Sequence, residues 1–483
     1  MAARSPVLRN ALILVLAQLA GAPLALLVNA MMGRYVGAQA FGQIFVASTL
    51  ARLGFLFVEW GHNGVLPAGV ARDRSLAGEF LGTSIVWRLL TAALVCSCLA
   101  LGSWILGYGA RFQLVLALVS LQWLLGTLMT ACQDVVKGFE RTDVTAKSQL
   151  GQQVLSILIV VPTLLLGGRL IAALVSQAVV SALVGAWVVY ATLRVGVGKI
   201  TVNRRALKEL FTQGAYFLSF GIAMALQANV DTVLLSKLAP GDPVGWFAAA
   251  QKLVSVLLIP ATALISALYP TLSRLYIEDR AAYVDTIRQA LRGTTVLSVP
   301  MAACCALYRD VGIRLFNKGE YGPAGQNMLV LSVLILLVYV SMPLGTALLA
   351  AGRQRQWAAV QLLCVVVSLG LDPVLIPWFQ KGYGNGGIGV CVAGVVSDVV
   401  MVGAALLMVE RGIVDRSLVA VVAKALVAGC AMVGLGVATT WLTPFVAAPL
   451  TVVAYFAFMY LIGGIHKSEL AIAKNAVMRR LSR

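Results

Sequence analysis

Fourteen apolar runs, most of them long enough to cross a bilayer and joined by short polar turns, leave this chain few folds. A hydrocarbon core of about 30 Å takes about 20 residues of helix, and within it every backbone polar group must be bonded inside its own segment. The expected fold class is therefore all-α, a polytopic membrane protein of about 14 transmembrane helices. The runs fall near 11–32, 43–66, 82–106, 112–132, 149–166 and 170–193. A basic stretch follows, then 214–235, 245–268, 294–308, 328–351, 357–378 and 386–409, and last 417–441 and 444–464. The ninth, 294–308, is the shortest. Composition excludes a soluble alternative, since 60% of residues are hydrophobic and 12% charged, against about 25% charged in an ordinary soluble protein.

The net charge of +18 would suggest nucleic acid in a soluble chain. Here the basic residues follow the turns. With the N-terminus in the cytoplasm, inside segments outnumber outside loops in Lys and Arg by roughly three to one, the bias expected of cytoplasmic loops. Both termini should lie in the cytoplasm, and the protein in the cytoplasmic (inner) membrane, in contact with membrane lipids and not with nucleic acid. The first run is too long for a cleavable signal and should remain as a span.

Catalytic signatures are weak. The eight cysteines lack the spacing of a zinc site, and two histidines cannot make a multi-histidine metal centre. Gly382, Gly384 and Gly387 spell a dinucleotide-like pattern, but no strand precedes them and they sit in a turn between two spans. No Walker lysine motif is present. The chain is read as a non-enzyme with no cofactor and no metal.

At a fixed offset of 203 residues, Arg34 meets Lys237, Phe41-Gly42 meets Val244-Gly245, Ala47 meets Ala250 and Leu50 meets Leu253. Gly138 and Arg141 are echoed by Gly352 and Arg355. Repeated halves are common in transporters. The expected organisation is a six-helix lobe over 1–200, a second over 201–410, and two further helices with a basic tail over 411–483.

From the seventh span through the eighth the chain reads Asp231, Leu234, Leu235 and Ser236, then Val244-Gly245-Trp246-Phe247, Ala249-Ala250, Lys252-Leu253, Pro260, Leu268-Tyr269-Pro270 and Leu272-Ser273-Arg274. Gly33 to Gly37 with Phe41-Gly42, Glu320-Tyr321, Leu375-Ile376-Pro377 and Gly386 to Gly389 add to it. In this order the sequence resembles the polysaccharide flippases of the multidrug/oligosaccharidyl-lipid/polysaccharide exporter superfamily. The resemblance implies two six-helix lobes around a cavity, and alternating access carrying a lipid-linked oligosaccharide on undecaprenyl diphosphate. It also implies partners in the polysaccharide polymerase and export machinery.

Such a substrate has an anionic diphosphate and needs cations inside the membrane. Arg52 lies near the middle of the second span, where an unpaired arginine is unfavourable by about 2.5 to 3.5 kcal/mol. Arg88 in the third span and Lys252 in the eighth complete the substrate-binding candidates. Each has a structural alternative: ion pairing or snorkelling for the arginines, an ion pair with Asp231 for Lys252. Glu59, Asp231 and Asp398 are the candidates for coupling or for a polar cavity wall, with a hydrogen-bonded or paired acid as the alternative. Glu59, His62 and Asn63 share a helical face, seven residues beyond Arg52. The segment 272–291 has the period of an amphipathic helix on the inner membrane surface.

An ion-coupled multidrug exporter, a peptidoglycan-precursor flippase and a membrane glycosyltransferase are the competing readings. Basic residues within the spans favour an anionic substrate over a cationic drug, and the outside loops are short for a glycosyltransferase. An alkaline phosphatase fusion after Arg205 should be inactive and one near Lys318 active; the opposite pattern at either site would overturn the orientation.

Overall fold

The computed structural model describes residues 6–410, 412–439 and 441–464. The basic C-terminal tail and Arg4 lie outside the described residues. The chain forms α1 (Pro6–Val36), α2 (Ala38–Glu59), α3 (His62–Arg72), α4 (Ala77–Ile105), α5 (Ala110–Gly138), α6 (Thr142–Leu165) and α7 (Leu170–Arg194). After the basic connector come α8 (Arg204–Leu238), α9 (Asp242–Leu257), α10 (Ile259–Glu278), α11 (Arg280–Leu307), α12 (Arg309–Phe316) and α13 (Lys318–Tyr321). The last five are α14 (Ala324–Ala350), α15 (Gln354–Tyr383), α16 (Gly387–Met408), α17 (Arg416–Ala438) and α18 (Pro444–Leu461). No strand occurs among the described residues. Twelve helices there are long and apolar enough to span a membrane, and α9 with α10 would make a thirteenth. The seventh expected span is filled by the 35-residue α8.

The chain separates into two compact units. One holds residues 1–256, 313–324 and 361–393. The other holds 257–312, 325–360 and 394–483. In the first, α1 packs along α6, α5 along α7, and α2 against α4, α5 and α8. In the second, α17 packs on α11 and α18 on α17, burying Val299, Ala425, Met432, Tyr455 and Met459. The Tyr455 hydroxyl donates to the Val296 carbonyl, so the one polar atom in that cluster is satisfied. At the start of α17, Asp415 accepts from the Ser417 hydroxyl and the Leu418 N–H, which holds its carboxyl below the usual range.

Two expectations about spans change. The second is broken, because Trp60 and Gly61 take left-handed conformations between α2 and α3. α8 crosses closely at this break: a Cβ on Gly61 would lie 2.3 Å from the Gly214 carbonyl oxygen, and one on Gly214 would lie 2.2 Å from that of Trp60. The ninth span is not short. α11 runs 28 residues from Arg280, and takes in half of the segment expected to lie on the membrane surface. Its stripe of Tyr283, Ile287 and Leu291 is buried, and the Tyr283 hydroxyl donates to Ala347 O. Apolar period alone cannot tell a lipid-facing stripe from one facing protein.

Several of the family-like motifs meet at one junction in the first unit. Gly42 and Gly245, equivalent under the 203-residue offset, face each other: a Cβ on Gly42 would sit 2.8 Å from Gly245 N, and one on Gly245 would sit 2.0 Å from Ala38 O. Glu320 accepts from the Ala38 N–H at the start of α2, and its own carbonyl accepts from Trp246 Nε1. Tyr321 donates to Gly33 O. A carboxylate at a helix N-terminus answers donors that Gly37, having no side chain, leaves open. Replacing Gly245 with Val should destabilise the protein by about 1 to 3 kcal/mol through overpacking against backbone. Thermal unfolding in detergent would read this as a lower midpoint.

Candidate functional site

Two cations of the first unit define the candidate substrate site. Arg52 is exposed on α2, its guanidinium 5.9 Å from the Trp123 ring centre on α5. Lys252 on α9 stands 5.9 Å from the ring of Phe45, which is seven residues from Arg52 on α2. The two cations are close enough for their like charges to act on each other. Aromatic faces attract cations, yet no carboxylate pairs with either among the described residues. In particular, Asp231 does not pair with Lys252.

Asp231 instead meets a second acid. On α8 it accepts from Ser368 and comes within hydrogen-bonding reach of Asp372, both on α15. Asp372 is fully buried. As ionised carboxylates the two could only accept, and then Asp231 Oδ1 and both oxygens of Asp372 would have no donor. One shared proton, or one small cation between them, supplies the missing partner and removes the repulsion of adjacent carboxylates. That α8 and α15 are neighbours is invisible in the sequence.

Arg88 belongs elsewhere. It is 0% exposed, and donates to the Thr127 carbonyl and hydroxyl and to Thr130 Oγ1, at 3.1 Å for Thr127 Oγ1 and 2.9 Å for Thr130. Asp134 lies 3.9 Å from Arg88 Nη2 and 2.8 Å from Lys137 Nζ. Glu59, the last residue of α2, completes the group through its electrostatic contact with Arg88, Asp134 and Lys137. Nearby, His62 Nδ1 bonds Ser84 Oγ at 2.9 Å. Of the polar face expected along the second span, Arg52 and Glu59 stand on the unbroken α2, one beside Trp123 and the other within electrostatic reach of Arg88. His62 and Asn63 fall on α3, beyond the break at Trp60 and Gly61.

Asp398 on α16 is 6% exposed, in the second unit, and has no ion pair among the described residues. Gly384, at φ 67, lies in the turn between α15 and α16, as the glycine pattern there requires.

Replacing Arg88 with Gln should strand Asp134 beside Lys137 alone and cost about 3 to 5 kcal/mol, as expected when one member of a buried pair is removed. Arg52→Gln should leave stability near parental. Comparing their thermal midpoints in detergent tests the structural role of one arginine against the exposed position of the other.

Comparison with known proteins bears on the fold. The fold resembles that of a lipid II flippase, MurJ, in an inward closed conformation, with a TM-score of 0.73 at 12% identity over 93% of this chain and 98% of that one. An inward-facing multidrug resistance MATE family transporter of the MOP superfamily aligns with a TM-score of 0.65 at 14% identity, over 82% of this chain and 96% of its own. A MOP superfamily transporter from Pyrococcus furiosus, described as having a binding pocket of reverse polarity, gives 0.56 at 15% identity, over 82% and 94%. No curated protein sequence matches. The MatE family model matches residues 218–374. The model of the polysaccharide biosynthesis protein family matches residues 7–276, more than half the chain, and the protein belongs to that family, with the fold of the MOP superfamily transporters.

Proposed function

We propose that the protein moves a lipid-linked oligosaccharide, carried on undecaprenyl diphosphate, across the cytoplasmic membrane by alternating access during surface polysaccharide biosynthesis. The observation that carries this reading is the pair Arg52 and Lys252, two cations on transmembrane helices with an aromatic face beside each and no acid partner among the described residues. Two like charges so placed favour an anion between them, and a diphosphate supplies it. Arg52 offers forked donors to phosphate oxygens while Lys252 acts as a compact charge. A cationic drug would meet repulsion at the same place.

In this reading the Asp231 and Asp372 pair couples transport to an ion. The pair can hold one proton or one monovalent cation at a time, and its charge changes when that ion leaves. Lobes over 1–200 and 201–410 moving against each other, with both termini in the cytoplasm, belong to the same proposal.

The test is export of surface polysaccharide in cells whose own copy is deleted. Arg52→Gln should reduce export roughly tenfold to a hundredfold, the range expected for losing a charged hydrogen bond, with normal protein levels and build-up of the lipid-linked repeat inside. Arg52→Lys should retain part of the activity. A normally inserted Arg52→Gln protein that exports at the parental rate would overturn the cationic site. Rescue of a strain lacking its peptidoglycan-precursor flippase, with polysaccharide export unaffected by deletion, would replace the oligosaccharide substrate with that precursor.

A further inference from the structure

Arg111 and Arg169 belong to neither charged group described above. Both line one cleft of about 600 Å³, with Leu114, Leu170 and Ile171 forming much of the rest. Both are exposed, and neither guanidinium has an ion pair or hydrogen bond among the described residues. Outside loops are poor in basic residues, yet two of those they do carry meet here. The cleft is built where α5 and α7, packed along each other, both begin. Neither N-terminus receives a side-chain cap, from Gly109 in one case and Arg169 in the other. First-turn N–H groups and the positive ends of two helices thus add to the two guanidiniums.

The depth of this cleft is set by its neighbours. Trp104, 68% exposed near the end of α4, and Tyr108 in the following turn are the amphipathic rings that settle at headgroup level. The Tyr108 hydroxyl bonds Ser236 Oγ at 2.6 Å and its ring stacks on Phe112, the third residue of α5. The start of α5 is therefore fixed at the membrane boundary, with charge at that boundary and apolar side chains leading inward.

We infer that this cleft binds an anionic diacyl phospholipid, its phosphate held by Arg111 and Arg169 and an acyl chain lying along Leu114 and Ile171. Charge complementarity selects the headgroup, since two guanidiniums sharing a cleft repel until an anion enters. Guanidinium forks suit phosphate oxygens. The apolar lining selects a lipid over a free phosphate. In the orientation the basic residues favour, the lipid belongs to the outer leaflet.

Native mass spectrometry of the full-length protein, released from mixed phosphatidylglycerol and phosphatidylcholine bilayers, tests this inference. The parental protein should retain phosphatidylglycerol in preference. The double variant Arg111→Gln with Arg169→Gln should lower that preference roughly tenfold to thirtyfold, given the usual attraction per basic residue. Its thermal midpoint in phosphatidylcholine alone should stay parental. Ala172→Trp fills the cleft without changing charge and should also reduce retention, which keeps the test open should the double variant insert poorly. Undiminished preference in either correctly inserted variant would overturn the inference. So would displacement of the retained lipid by a polyprenyl diphosphate at equal concentration, which would assign the cleft to the carrier instead.

Discussion

A charge or unpaired polar group inside hydrocarbon is costly, and the arrangement of this protein follows from how each such group is answered. Arg88 is answered by threonine oxygens and Asp134 within one helical cluster. Asp231 and Asp372 answer one another only when an ion or proton joins them. Arg52 and Lys252 have aromatic rings beside them but no acid. These are three degrees of satisfaction: Arg88 is bonded through Nη1 and faces Asp134, while Nε and Nη2 make no hydrogen bond, the acid pair is conditional, and the exposed cation site is open. The enclosed charge cluster holds structure, while the conditional and open ones can respond to a ligand.

Close backbone approach is the second constraint. Without strong hydrophobic attraction between helices in lipid, packing depends on small residues that let backbones meet. Gly42 against Gly245 and Gly61 against Gly214 show this at the two ends of α2. The first contact joins residues that stand 203 positions apart in the sequence. Glu320, Tyr321 and Trp246 then bond across the same region. Motifs that resemble a flippase family in sequence thus have a direct packing reason in the fold, one that does not depend on the chemistry of the sugar.

Candidate residues separated in ways that sequence spacing does not anticipate. Arg52 and Arg88 are both arginines in apolar runs, and by composition they are alike. One is exposed beside Trp123; the other is enclosed. Glu59 lies seven residues from Arg52 on the same helix, yet the charges that act on it are those of Arg88, Asp134 and Lys137. The segment 272–291 has an amphipathic period, but its apolar stripe meets protein. In each case local periodicity was read correctly, and what differed was the partner.

The sequence by itself determined the all-helical membrane fold, because apolar length and the need to bond the backbone internally allow little else. It also marked the cations within the spans and Asp231, since charge in an apolar run stands out against its surroundings. Tertiary structure alone decided which charges meet. Asp231 and Asp372 are 141 positions apart, and their contact depends on α8 lying beside α15, which no local pattern encodes. The break at Trp60 and Gly61 likewise sits where α8 crosses at Gly214, a meeting of distant segments. Helix formation is governed by short-range hydrogen bonds and hydropathy, whereas the pairing of charges is governed by distances between helices that only packing fixes.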